Sequence, residues 1–231
     1  MQEFISSFDS SMDFVKAFLR SALTPITAFC NTFSNIWVGA AFIITLFVIL
    51  LALTARKYGE DFSRSLKRPQ TLAICAMLIA LNVALGYFSV DVTAYLRIGF
   101  GFITLPVVTM LFGPLAGCVA GMLQDLISFI IKPTGGYLFT LTLNVGISGM
   151  IYGLMLYKKK ITFARILLTK LVIIIVVNII LNSIGLAPSV GSGLVGILPS
   201  RIIKNFLLLP IQSVIVYALL KIVKGRINLH I

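Results

Sequence analysis

Ionisable and amide side chains stand out in this sequence because almost everything around them is apolar. The stretch Leu198 to Gln212, LPSRIIKNFLLLPIQ, holds Arg201, Lys204, Asn205 and Gln212. On a helix, Arg201, Lys204 and Asn205 fall at i, i+3 and i+4 and share a face, to which Gln212 returns two turns later. Pro199 suits the first turn of that helix, and Pro210 predicts a kink. Asp91 and Asp125 are the only acids after residue 61, and Asp125 sits within an apolar run. Charges at membrane depth are costly and by default mark a site. Arg97 and Arg201 have the fork geometry to clamp a carboxylate. Asp125 can accept from an amino-heterocycle, and Asn144, Asn205 and Gln212 can read ring edges. Phe100, Phe102, Tyr137 and Phe139 can stack on a ring. The chemistry these types share is recognition of an anionic solute that carries a hydrogen-bonding ring. The alternatives are structural: an Asp125 ion pair with Arg97 or Arg201, Asn144 as a bond between helices, and Lys132 as an interfacial snorkelling cation.

The elements that must hold these groups follow from composition. The chain has 231 residues, 59% hydrophobic and 11% charged, with mean hydropathy +1.06. A soluble domain carries about a quarter charged residues, so this is a polytopic membrane protein. The net charge of +12 does not form a nucleic-acid stripe; the basic residues gather at helix ends, as the positive-inside rule expects. Cys30, Cys75 and Cys118 lack metal or disulfide spacing, and the only histidine is His230. No metal, cofactor or histidine-dependent catalysis is expected. The first long apolar run starts near Ile36, too late for a cleavable leader.

Apolar spacing from Met12 to Ile26 predicts an interfacial or packed helix. Ile36 to Thr54 is long enough to cross a bilayer. A polar segment from Tyr58 to Arg68 separates this N-terminal extension, residues 1–65, from a main module over 66–231. The module is expected to hold six spans: Thr71–Ser89, Arg97–Phe112, Leu115–Ile131, Leu138–Tyr157, Ile161–Asn182 and Ser200 to about Val223. Asp91–Leu96 and KPTGGY are outer turns, Gly113-Pro114 is an inner turn, and Ser183–Pro199 is long enough to act as a flap. The basic runs place the Arg56–Arg68 linker and the C-terminus in the cytoplasm and the N-terminus outside. The fold class is therefore an all-α integral membrane protein, a six-helix bundle preceded by one extra transmembrane helix. Ala76, Ala80 and Ala84, four residues apart, make a smooth strip for close helix approach, within the chain or to a partner.

The run RIGFGFITLPVVTMLFGPLAGCVAGMLQDLISFIIKPTGGYLFTLTLNVGISGMIYGL, followed by LPSRIIKN, resembles the folate-specific S components of energy-coupling factor (ECF) vitamin transporters. The match covers about residues 66–226. It implies a six-helix subunit in the cell membrane that binds folate from outside. Such a subunit works with a transmembrane coupling subunit and two cytoplasmic ATPases, and topples to release its vitamin. The alanine strip fits the small-residue motif these subunits use for docking. With folate as the ligand, our own assignment from residue type puts Arg97 and Arg201 on the carboxylates and Asp125, Lys204 and Asn205 nearer the pterin. The chain departs from the family in its extra leading helix. No P-loop is present, so ATP hydrolysis belongs to partners. The same class with another ligand (riboflavin, pantothenate or a queuosine precursor) is the near alternative. An intramembrane enzyme using Asp125 lacks a second acid, a nucleophile or a metal set, and a channel or scaffold would use the glycines for packing alone.

Overall fold

The computed structural model describes residues 36–87, 90–93, 96–98, 102–133, 137–190 and 194–226. The helix expected over Met12–Ile26 and the ring of Phe100 lie outside these residues, and for Arg97 and Arg201 only the backbone is described. Helix α1 runs from Ile36 to Leu66. It holds no proline, and its two glycines, Gly39 and Gly59, flank Thr54 rather than break the helix there, so nothing stops it at Thr54. At 31 residues it is about 46 Å long, well beyond the hydrocarbon thickness. Helix α2, Pro69–Tyr87, opens on a proline, where a missing N–H costs little.

The region after α2 departs from the expected loop and long span. Strands β1, Val90–Thr93, and β2, Leu96–Ile98, form an antiparallel hairpin that pairs Asp91 with Arg97. β-Branched Val90, Val92, Thr93 and Ile98 favour the strand, because their side chains are stiff at χ1. Helix α3 then covers only Thr104–Phe112. Its nine residues rise about 13 Å, less than half a bilayer, so the expected Arg97–Phe112 span is a hairpin plus a short buried helix.

Gly113, at φ 91°, turns the chain, and Pro114 starts α4, Pro114–Ile131. Helix α5 is Phe139–Leu156. Helix α6, Phe163–Ile173, passes through a π-helical segment, Ile174–Leu181, into α7, Asn182–Val190. Helix α8 spans Leu194–Arg226 without interruption. The expected flap over 183–199 is therefore helical on both sides of residues 191–193, and Pro199 and Pro210 both lie inside α8. Membrane helices tolerate such prolines because neighbouring groups take up the freed carbonyls. Among the described residues six helices are long and apolar enough to cross a membrane, α1 among them.

Helices α4 and α5 form the most extensive pair. Small residues let their backbones meet, the usual device where lipid removes the hydrophobic drive between helices. A Cβ on Gly149 would strike the Gly117 carbonyl, and one on Gly153 would strike Pro114. Helix α1 joins the same core. Ile43 is fully buried, Phe47 reaches the space over Gly146, and Thr54 Oγ1 lies 3.8 Å from Met150 Sδ. At the basic end of the bundle, Asp61 bonds Lys158 at 2.8 Å and Tyr157 at 3.4 Å.

Candidate substrate site

The structure sorts the expected polar residues into three groups on the walls of the bundle. The first joins α4 to α5. Thr142 Oγ1 donates to Asp125 Oδ2 at 2.7 Å, and the Tyr137 hydroxyl lies 2.9 Å from the same Thr142 oxygen. A threonine has one proton to give. Thr142 gives its own to Asp125, so Tyr137 donates to Thr142, and the bonds run in one direction from ring to carboxylate. The Tyr137 ring also packs 5.1 Å from Phe129. Among the described residues Thr142 is the partner of Asp125.

The second group lies between α5 and the π segment with α7. Asn144 is buried, and its Nδ2 donates to Asn182 Oδ1 at 2.9 Å. Asn182 in turn reaches Asn178 at 3.5 Å. The π segment sets this spacing by placing Asn178 in a widened turn; such turns recur at functional sites. Gly185 keeps the wall open, since a Cβ there would come 3.1 Å from Thr140 Oγ1. Three buried oxygens of this wall, Asn144 Oδ1, Thr140 Oγ1 and Ser183 Oγ, have no hydrogen-bond partner among the described residues. An orphaned polar atom in an apolar bundle costs about 1–3 kcal/mol.

The third group links α6, α8 and the start of α3. Lys170 is buried, and its Nζ donates to Gln212 Oε1 at 2.9 Å. The ammonium also lies 4.7 Å from the Phe102 ring centre and 6.0 Å from that of Tyr152, within reach of cation–π attraction. Gln212, expected to read a ring edge, thus has its oxygen committed to Lys170. Lys170 itself was not singled out in the sequence. The signal was present: a lone cation deep in the run LLTKLVIII, open to the same membrane-depth argument as Asp125. Lys204 and Asn205 are half-buried on α8. The backbone puts Arg97 in β2, which lies against α8, the helix that carries Arg201. Thr142 and Asn144, two apart on α5, point to different walls, so Asp125 and Asn144 do not touch.

The alanine strip lies elsewhere. Ala76, Ala80 and Ala84 are exposed and, with Leu123, Ile127 and Ile131 of α4, line an open apolar groove of about 750 Å³.

A bundle of apolar helices whose interior holds a carboxylate, an ammonium and a row of amides defines a multi-pass membrane protein with a polar interior site. No family model matches the chain. The folate transporter FolT of Clostridium novyi (strain NT) is 31% identical over 158 residues, which is 68% of this chain and 92% of that protein. The folate transporter FolT of Leuconostoc mesenteroides subsp. mesenteroides is 33% identical over 154 residues, 64% of this chain and 82% of that one. A solved structure of FolT bound with folic acid superposes with a TM-score of 0.62 at 31% identity, covering 67% of this chain and 94% of its own. The chain belongs to the FolT family of folate transporters.

Proposed function

We propose that this protein is the folate-binding S component of an ECF-type uptake transporter. The carrying observation is membership of the FolT family in a chain whose bundle holds a carboxylate, an ammonium and several amides at membrane depth. Donors and acceptors of this kind suit the amino and carbonyl edges of a pterin. Arg97 and Arg201 are proposed to hold the glutamate carboxylates, with Asp125, Lys204 and Asn205 nearer the pterin. Phe100 and Tyr137 would stack, and Asn144 and Gln212 would complete the polar walls. Folate enters from outside, at the end opposite Lys158–Lys160. The C-terminus then lies in the cytoplasm and the N-terminus outside the plasma membrane. Residues 66–231 act as the S-component module and residues 1–65 as its extension. Isothermal titration of the detergent-purified chain, with riboflavin and pantothenate as controls, tests this reading. One-to-one nanomolar binding of folate alone is expected; a monodisperse protein that ignores folate would overturn it.

ATP hydrolysis is assigned to two partner ATPases, reached through a transmembrane coupling subunit. The exposure of Ala76, Ala80 and Ala84 beside an open groove supports this face as the docking surface. Ala80→Trp is expected to leave folate titration unchanged while abolishing uptake in cells that supply the partners. Uptake at the level of the unmodified chain would remove the strip from the docking face.

A further inference from the structure

The basic end of the bundle carries a feature that folate binding does not use. A cavity of about 520 Å³ opens between the α5–α6 turn and the end of α8, floored by Met110 and Leu156 and rimmed by Lys158, Lys159, Lys160 and Lys224. A second cavity of about 290 Å³ shares Lys160 and Lys224 and adds Lys221. No carboxylate lines either one among the described residues.

The five lysines are not equivalent. Lys158 is neutralised by Asp61 at 2.8 Å, a bond that raises its ammonium pKa above the ordinary value. Lys159 donates to the Leu154 carbonyl at 2.8 Å. Lys221 lies over the Tyr217 ring, 6.0 Å from its centre. Lys160 and Lys224 have no such partner among the described residues, and they are the two that both cavities share. Their depth is also defined. Lys160 follows the Phe139–Leu156 span and precedes Phe163–Leu186, and Lys224 lies in the last turn of the final span. Both therefore sit at the level of lipid headgroups. Phe163 is an exposed apolar side chain whose ring lies 5.9 Å from that of Tyr217, a wall of the second cavity, and it offers a surface on which an acyl chain can lie.

We propose that this double cavity binds the phosphate of an anionic phospholipid, with Lys160 and Lys224 as the two ammonium groups that hold it. Uncompensated ammonium groups over an apolar floor suit an amphiphile whose phosphate meets the rim and whose chains meet the helices. Basic pockets between membrane helices select anionic headgroups on this principle, each lysine contributing a few-fold in affinity.

The test uses the full chain in zwitterionic detergent. Melting temperature and native mass spectrometry are read against added dioleoyl-phosphatidylglycerol, dioleoyl-phosphatidylcholine and inorganic phosphate. Phosphatidylglycerol is expected to raise the melting temperature and stay bound, and phosphatidylcholine is not. Lys160→Gln with Lys224→Gln should reduce that preference roughly tenfold to thirtyfold. The paired arginine variants should retain it, which separates charge from folding. Stabilisation by inorganic phosphate equal to that by the lipid would keep the anion site but assign it to a soluble phosphate. Equal response to the two lipids would overturn the proposal, as would full preference in the glutamine pair. If that pair does not fold, the arginine pair alone decides, since loss of preference there would equally overturn it.

Discussion

Gly149→Leu is expected to yield no monodisperse protein. Gly149 on α5 faces the backbone of α4, and a Cβ at that position would lie 2.9 Å from the Cys118 nitrogen and closer still to the Gly117 carbonyl. A flexible side chain can swing away from such a clash; a helix backbone cannot. Relief requires α4 and α5 to separate along the most extensive helix pair in the bundle. That separation would also part Asp125 from Thr142. Overpacking a core costs about 1–3 kcal/mol where side chains can adjust, and a backbone obstacle puts this change at or above the upper figure. The control is Gly59→Ala, on the far part of α1, where an added Cβ meets nothing within 4 Å among the described residues. That substitution is expected to be neutral or to stabilise slightly, since alanine favours helix by about 1 kcal/mol over glycine. Size-exclusion profiles and thermal melts of the two variants check both statements. A Gly149→Leu protein that elutes and melts like the unmodified chain would mean the helices do not approach this closely.

Lys170 gives the second large effect, with opposite signs on stability and on binding. A buried ammonium at membrane depth is expensive, and one amide oxygen with two aromatic faces repays only part of that cost. Replacing Lys170 by Met alone would leave Gln212 Oε1 without its donor, so the informative variant is Lys170→Met with Gln212→Leu. Apolar replacement of a buried polar pair is often neutral or stabilising, and the melting temperature is expected to hold or rise. Folate affinity is expected to fall by tenfold or more, about 1.4 kcal/mol. The positive potential that favours a dianionic ligand is lost from a low-dielectric interior, and Phe102 loses the cation that fixes it. Thermal melts and titration on the same preparation separate the two effects. Unchanged affinity in a stabilised protein would make Lys170 a relic of packing and remove it from the site.

These cases mark what sequence alone could convey. Long apolar runs with basic ends announced the long helices, and Gly113-Pro114 announced its turn, because each depends on local composition. The hairpin and the short α3 lie where composition offers an outer loop, Asp91–Leu96, followed by a run apolar enough to pass as a span. Hydrophobicity measures affinity for lipid, and the choice between strand and helix there rests with β-branched residues such as Val92 and Ile98. Pro199 marks a helix boundary by its behaviour in water; inside this bundle the helix continues through it. Asp125 was recognisable as a group at membrane depth, but its chain of bonds to Thr142 and Tyr137 depends on which faces of α4 and α5 meet. Sequence spacing on either helix alone does not contain that information. Lys170 was legible by the same rule and was obscured by the greater number of cations on α8.

Helix α1 has a consequence for motion. It is fixed to the rest of the protein near one end by Ile43, in the middle by Thr54 against Met150, and at the other end by Asp61 on Lys158. Three attachments spread along one axis remove both sliding and swivelling. Whatever rotation the bundle makes in the bilayer, α1 must turn with it as part of the rotor. The girth presented to the surrounding lipid is then that of the whole assembly, and the energy of rearranging annular lipid scales with that larger perimeter.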